Sequence, residues 1–304
     1  MLKTRFEEIV DVQKIGSLDV SLGDLNETLI TASRETLSPA ANNSENILVL
    51  GIDFQNDFMQ NGSLGVPNSH GDVERFCKFI YNNIDKISRV AMSLDTHIPH
   101  QIFNPYWWVD QNGEHPDPFT VITLAELDAG RYRAVKNPIG SRKYVEELEK
   151  QGKKVLLVWT YHCLLGSLGC ALEYQLSKMI NFYSVAKKSV IQYLVKGTDP
   201  LSEMYGIIKP EYDEKGFINI AFLNAIATYD KIVIAGEASS HCVLESVKQI
   251  LEHYDGNFNV LQKIYILEDC MSPVSSFEQY SIDEWAKLKN QYKINIVKST
   301  ELSL

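Results

Sequence analysis

The chain has 304 residues, 45% of them hydrophobic, and a formal net charge of −10 at neutral pH. Its length supports a full core in one large domain, and its acidity argues against nucleic acid or anionic lipid as a partner, since no clustered Lys/Arg stripe offsets it. There is no apolar run long enough to span a membrane, the start MLKTRFEEIVDVQK is charged where a signal peptide is apolar, and five cysteines are an odd number that points to reduced thiols, so the expectation is a cytoplasmic protein acting on small molecules.

Residues 1–46 read as an N-terminal extension, ending in a polar loop at SPAANNSEN (38–46), before a single domain spanning 47–304. The apolar runs ILVLGID (47–53), RVAMSLD (89–95), KVLLVWT (154–160), VIQYLV (190–195), KIVIAGE (231–237) and KIYILED (263–269) have the length and near-continuous hydrophobicity of strands covered on both faces. Helical spacing fills the gaps at 73–84, 141–151, 171–180, 218–229 and 242–254. This alternation predicts right-handed crossovers and an α/β fold, a three-layer αβα sandwich with a mainly parallel sheet of about six strands. A short last strand near Ile294–Val297 finishes one edge. The insertion at about 98–140, with its aromatic stretch HQIFNPYWWVDQNGEHPDPF, is too long for a simple connection and is expected to shape or cover a pocket.

Chemistry gathers at the ends of these runs. Asp53 closes the first, Asp95 and His97 the second, His162 follows the third, Lys196 follows the fourth, and Cys242 lies in the turn AGEASSHCV after the fifth. In an open parallel sheet such positions converge outside the carboxyl ends of the strands. A cysteine opening a helix sits near free amides and the positive end of the helix dipole, which favour thiolate, although most buried cysteines only fill space. Asp53 and Lys196 suit a base and its orienting cation, or equally a structural ion pair. Asp95 and His97, two apart in extended backbone, point to one face; with His162 they make a two-histidine, one-carboxylate set suited to Zn²⁺ or Fe²⁺, whereas Asp95 and His97 alone would be merely hydrogen-bonded. His100 and His115 are candidate extra ligands.

Taken together, GIDFQNDF (51–58), SLDTH (93–97), WTYHCLLGSLGCAL (159–172), VKGTDPLSEMY (195–205) and AGEASSHCV (235–243) resemble the isochorismatase-like cysteine hydrolases, in particular the nicotinamidase/pyrazinamidase branch, over roughly residues 46–300. The resemblance implies an isochorismatase-like, Rossmann-like hydrolase domain and a metal-dependent amidohydrolase that turns nicotinamide or a close aromatic amide into acid and ammonia. Cys242 is then the nucleophile, Asp53 its base and Lys196 the stabilising charge; Asp95, His97 and His162 hold a divalent metal, Zn²⁺ first and Fe²⁺ or Mn²⁺ otherwise. It further implies a cis peptide at Glu237-Ala238, an oxyanion hole from the amides of Ala238 and Cys242, and a ring pocket of Phe58, Trp159, Tyr205 and His241. Relatives are often oligomers, so a homo-oligomer is expected. Four departures stand out: Ser240 replaces the usual aspartate, Glu237 replaces a small apolar residue, the long insertion separates Asp95 and His97 from His162, and Phe103 aligns near a further histidine ligand of some relatives. The competing expectations are a metal-free amidase for an aliphatic or carbamoyl amide, and a catalytically silent pyridine-binding protein.

Overall fold

The computed structural model describes residues 2–152 and 154–304; Met1 and Lys153, which the readings of the extension and the insertion region adjoin, lie outside the described residues. In chain order the strands are β1 (Ile47–Ile52), β2 (Arg89–Asp95), β3 (Trp108–Asp110), β4 (Val121–Ile122), β5 (Tyr132–Ala134), β6 (Leu156–Leu157), β7 (Gln192–Lys196), β8 (Lys231–Gly236), β9 (Ile264–Leu267) and β10 (Asn295–Val297). Six of them form one parallel sheet in the order β10-β9-β8-β1-β2-β7. From β1 the chain moves outward to β2 on one side, and from β8 to β9 on the other. A crevice therefore opens at the carboxyl ends of β1 and β8, where sheets of this kind bind ligands.

Alternation along β1 divides the core. Leu48, Leu50 and Ile52 pack with Phe222, Leu223, Val243, Val247, Trp285 and Leu288 from the Ile220–Ala227, Cys242–His253 and Glu278–Tyr292 helices. Val49 faces the opposite layer, with Val73 and Phe76 of Ser69–Asn82 and Leu176 and Met179 of Tyr174–Ala186. The expected α/β three-layer αβα sandwich is thus the architecture found. Each fully buried aliphatic side chain contributes about 1.5–3 kcal/mol, so covering both faces of β1 is what makes its sequence continuously apolar.

The run KVLLVWT does not enter this sheet, which corrects the expected strand over 154–160. Only Leu156–Leu157 is extended, and it pairs antiparallel with Val121–Ile122 of the insertion. The insertion also takes up the next amides: Val158 donates to Thr120 and Trp159 to Phe103, both at 2.8 Å. With those partners supplied, the amides of Val158 and Trp159 are committed to the insertion and not to the central sheet. Its side chains join a third cluster with Ile102, Phe103, Trp107, Trp108 and Tyr144, so the insertion is a packed cap rather than a loose loop. The sixth place in the sheet goes to β10.

Residues 2–46 are packed onto the domain. Phe6, Ile9, Val10, Ile15 and Ala32 share the buried cluster of the Tyr174–Ala186 helix, and Leu22–Ser33 lies against that helix. Glu173 ties the two together, accepting from the Gly16 amide at 3.0 Å and from the Leu176 amide at 2.8 Å. The helices Leu22–Ser33 and Glu278–Tyr292 have no counterpart in the sequence reading. Among the described residues no helix is long and apolar enough to cross a membrane.

Candidate active site

Three side chains from three strand ends meet in the crevice. Asp53 leaves β1 with φ of 49°, a left-handed conformation that costs a non-glycine residue energy. Its carboxyl group is fully buried: Ser93 donates to Oδ1, and Lys196 Nζ lies 2.9 Å from Oδ2. The β2–β7 register sets Lys196 beside Asp95, and Nζ sits 3.0 Å from Asp95 Oδ1. The same nitrogen donates to the Met204 carbonyl at 3.0 Å and stands 3.8 Å from Cys242 Sγ. One ammonium thus touches two carboxylates and the sulfur.

Charge compensation here is internal. Burial pushes the Asp53 carboxyl up, Lys196 opposes it, Asp95 reinforces it, and the net direction is upward. Burial pulls Lys196 down, but Asp53, Asp95 and Cys242 outweigh it and hold the ammonium well above its usual range. For Cys242, burial and the two carboxylates outweigh Lys196, so the thiol titrates well above its ordinary value and rests protonated, in hydrogen-bond contact with Asp53. Such a sulfur needs a base at the moment of reaction.

The turn that carries Cys242 is tightly built. Gly236 has φ of 148°, and a Cβ there would come within 2.2 Å of the Ile52 carbonyl oxygen, so only glycine lets β8 end against β1. The Glu237-Ala238 peptide is cis. The Ala238 carbonyl accepts from the amides of His241 at 3.0 Å and Val243 at 3.2 Å. Cys242 then opens the Cys242–His253 helix, placing sulfur at the positive end of its dipole.

Beside this corner lies a second one. Asp95, His97 and His162 are all buried and offer one ligand atom each within 4.8 Å of one another. His97 Nδ1 faces the Gly197 carbonyl at 3.1 Å and His162 Nδ1 faces the Thr160 carbonyl at 2.8 Å. A carbonyl can only accept, so each Nδ1 carries hydrogen and each Nε2 faces Asp95 Oδ2, 2.9 Å from His97 and 3.8 Å from His162; burial lowers His97 but Asp95 outweighs it, so without an ion that ring is drawn toward a second proton. Two imidazole nitrogens and a carboxylate oxygen meeting this closely need a positive centre among them, either a proton on His97 Nε2 or a bound cation in its place. Burial raises the Asp95 carboxyl, but His97 and Lys196 together hold it well below the usual carboxylate range. Backbone carbonyls orienting both imidazoles are the support that metal-binding histidines need. The donor set fits a divalent metal.

Phe58, Leu64, Trp159, Tyr205, Ala238, His241 and Val274 wall a pocket that reaches Asp95, His162 and Cys242. Trp159 Nε1 donates to Tyr205 Oη at 3.0 Å, and the His241 ring lies 5.4 Å from Trp159 and 5.8 Å from Tyr205. Ser240 Oγ bonds His241 Nδ1 at 2.8 Å and accepts from the Val274 amide at 3.0 Å. Burial, helped by Lys154, pulls His241 down to about 4, so its ring is neutral. From the insertion, Phe119 sets its ring 5.9 Å from Trp159.

The structure brings Asp53, Asp95, His97, His162, Lys196 and Cys242 together, with Phe58, Trp159, Tyr205 and His241 around them. His100 and His115 stand apart from this group, on the surface, with Tyr106 between their rings. Phe103 packs against His97 with ring centres 4.8 Å apart. Sequence reasoning missed Glu203, a buried carboxyl lining the same pocket, raised by burial with His97 opposing. It also missed Gln55, which accepts from the Asp95 amide and donates to the Asp95 carbonyl, both at 2.7 Å. Both stand inside quoted motifs, Gln55 in GIDFQNDF and Glu203 in VKGTDPLSEMY, but neither follows a periodic pattern that would have marked it as buried.

No protein-family model matches the sequence, and no curated protein matches it. Solved structures do. An Acinetobacter baumanii nicotinamidase/pyrazinamidase superimposes with a TM-score of 0.58 at 16% identity, over 85% of this chain and 99% of that one. The yeast nicotinamidase bound to the inhibitor nicotinaldehyde gives 0.59 at 18% identity, over 83% and 99%. This is the isochorismatase-like fold. An L. infantum protein in complex with nicotinate shares it, with a TM-score of 0.54 at 14% identity over 88% and 98%. At these identities the isochorismatase-like fold is what the comparison establishes, and the chemistry has to be argued from the site.

Proposed function

We propose that this chain is a metal-dependent cysteine amidohydrolase of nicotinamidase type, converting nicotinamide or a close aromatic amide to the acid and ammonia. The observation that carries the reading is the Lys196 ammonium, in contact at once with Asp53, Asp95 and the Cys242 sulfur. A thiol, a base and a fixed cation in one buried crevice are the parts that covalent amide hydrolysis needs.

Asp53, whose carboxyl is raised toward the working range, takes the Cys242 proton, and Sγ bonds to the amide carbon. Negative charge grows on the carbonyl oxygen, for which the amides of Ala238 and Cys242 are the candidate donors. The C–N bond breaks as Asp53 returns its proton to nitrogen, and ammonia leaves a thioester. Water gives a proton to Asp53 and its oxygen to the acyl carbon, and the sulfur departs and regains a proton. Lys196 keeps a positive charge beside base and nucleophile throughout. Asp95, His97 and His162 would hold a divalent metal, Zn²⁺ first, with Fe²⁺ or Mn²⁺ as alternatives, which when bound supplies a Lewis-acidic anchor for a ring nitrogen.

Aromatic side chains on the pocket wall suit a flat ring. The space left inside is about 20 Å³, little more than one water needs, so a ring enters only as part of the wall shifts. Two fold neighbours solved with nicotinaldehyde and with nicotinate agree with a pyridine carbonyl compound as ligand. The test is an ammonia-release screen over nicotinamide, pyrazinamide and several aliphatic amides, each with and without chelator. Nicotinamide turnover lost on chelation supports the reading; no release from any aromatic amide overturns it.

A second reading rests on the 2.9 Å contact between His97 Nε2 and Asp95. A proton on that nitrogen would satisfy the cluster without an ion, as in a metal-free amidase for an aliphatic or carbamoyl amide. Turnover of such an amide, indifferent to chelator, would favour it.

A further inference from the structure

Behind the Cys242 turn lies a pair of acids that the proposed chemistry does not use. Glu237, between β8 and Ala238, and Asp72, on the Ser69–Asn82 helix, are both buried, with 0% and 1% of their surface exposed. They lie within hydrogen-bond reach of one another. Asp72 Oδ1 accepts from Arg75 at 2.7 Å, and Glu237 Oε2 accepts from the Ser272 amide at 3.4 Å. The Ser272 side chain also reaches Asp72, yet Asp72 Oδ2 and Glu237 Oε1 stay buried without a well-placed donor. Two carboxylates facing each other this way would leave two acceptors unpaired and two like charges in contact, several kcal/mol against folding. One proton cures both faults.

We propose that Asp72 and Glu237 share a single proton, with Glu237 as the neutral donor and Asp72 as the carboxylate paired to Arg75, and that this bond positions the turn carrying the Ala238 and Cys242 amides. The asymmetry follows from the neighbours. Arg75 is the cation facing the pair, and it contacts Asp72 directly. Among the described residues Asp72 and Arg75 are the charged groups that act on Glu237, and Asp269 and the Cys270 thiol lie next to that pair. Burial raises Glu237 well above its ordinary 4.5, and the Asp72 charge raises it further. The bond links β8 to the Ser69–Asn82 helix, and the amides of Glu237 and Ser239, donating to Ile52 at 2.9 Å and to Ser272 at 2.8 Å, tie the same turn to β1 and to the loop after β9. Loss of the proton at high pH puts two charges under the turn. Glu237 is in this account a positioning residue.

The pairing is independent of the catalytic reading; only its effect on turnover rests on that reading. The experiment compares wild type, Glu237→Gln and Glu237→Ala. Glutamine can donate to Asp72 and accept from the Ser272 amide at any pH; alanine can do neither. Infrared difference spectra at neutral pH are expected to show a protonated carboxylic acid in wild type that Glu237→Gln lacks. A group with a raised folded value contributes stability that is complete below 4.5 and drains away as pH rises from there through the higher folded value. Wild-type Tm therefore falls with pH relative to Glu237→Gln. In the kinetic arm, wild-type kcat declines at alkaline pH with KM unchanged, Glu237→Gln removes that decline, and Glu237→Ala lowers kcat by about 10–100-fold at every pH. Parallel Tm profiles for wild type and Glu237→Gln, or no protonated-acid band, overturn the pairing. A normal pairing with an alkaline kcat limb unchanged in Glu237→Gln overturns the positioning role.

Discussion

The two corners of the crevice share Asp95 and differ in how they balance charge. On the Cys242 side the chain supplies its own cation: Lys196 reaches Asp53 and Asp95 at 2.9 and 3.0 Å, and the cluster is complete as folded. On the His162 side two imidazole nitrogens and a carboxylate oxygen converge, and among the described residues no Lys or Arg lies between them, so a proton on His97 or a cation has to complete the charge. A buried cluster that brings its own counter-charge can be set at folding, whereas one made of acceptors waits for a cation from solution. The nucleophile corner should then behave as part of the fold and the histidine corner as a ligand site, and each prediction below presses on that difference.

The largest effect is expected at the sulfur. Cys242→Ala should lower amide turnover by about 10⁴-fold or more, as loss of a covalent nucleophile does. It should leave metal uptake unchanged, because the imidazoles keep their carbonyl partners. Turnover by ammonia release and metal content by elemental analysis separate the corners; a variant that loses its metal too would show that they are one unit.

Next comes Lys196→Met, which strands two buried carboxylates without their cation. Removing one partner of a buried pair costs about 3–5 kcal/mol, so the urea midpoint should drop sharply whether or not metal is present. A fall that added metal fully restores would mean the lysine is not the folding cation.

Smaller again is the ligand effect. Adding Zn²⁺ at about a hundred times its Kd should stabilise wild type by about 2.7 kcal/mol, and His162→Ala should remove that gain while keeping the metal-free Tm. Equal Tm shifts in both proteins would point to adventitious binding elsewhere.

Much of this layout was legible in the sequence because strand ends carry chemistry in an open parallel sheet, and Asp53, Asp95, Lys196 and the Cys242 turn each close an apolar run. Periodicity failed where two environments look alike. KVLLVWT is as apolar as β1, yet its partners are the insertion's own residues, and an apolar run does not say which neighbour will bury it. In Glu278–Tyr292 the signal was present, with Ser281, Trp285, Leu288 and Tyr292 spaced along one helical face. Glu203 and the facing of Asp72 on Glu237 were out of reach, since each depends on which distant element packs against it. Polar residues in a loop and on a helix give no sign of burial until the chain closes around them.

The last prediction concerns the pocket wall between the two corners, where His241 is held neutral. Its value falls from 6.5 to about 4 through burial and the Lys154 charge. For a group whose folded value is depressed, the unfolded chain binds protons first, so stability is complete above 6.5 and drains away as pH falls toward 4. Glu237 runs the other way, gaining over the same acid range, so the raw profile mixes the two. Subtraction isolates the histidine. His241→Phe keeps an aromatic ring against Trp159 and Phe277 but cannot take a proton. The loss of Ser240 as a partner adds an offset that does not change with pH. The wild-type minus variant difference in unfolding free energy should therefore decline as pH falls from 6.5 to 4 and stay level above it. A level difference throughout would mean that His241 is solvated enough to titrate normally, and that the wall is already open to water without a substrate to part it.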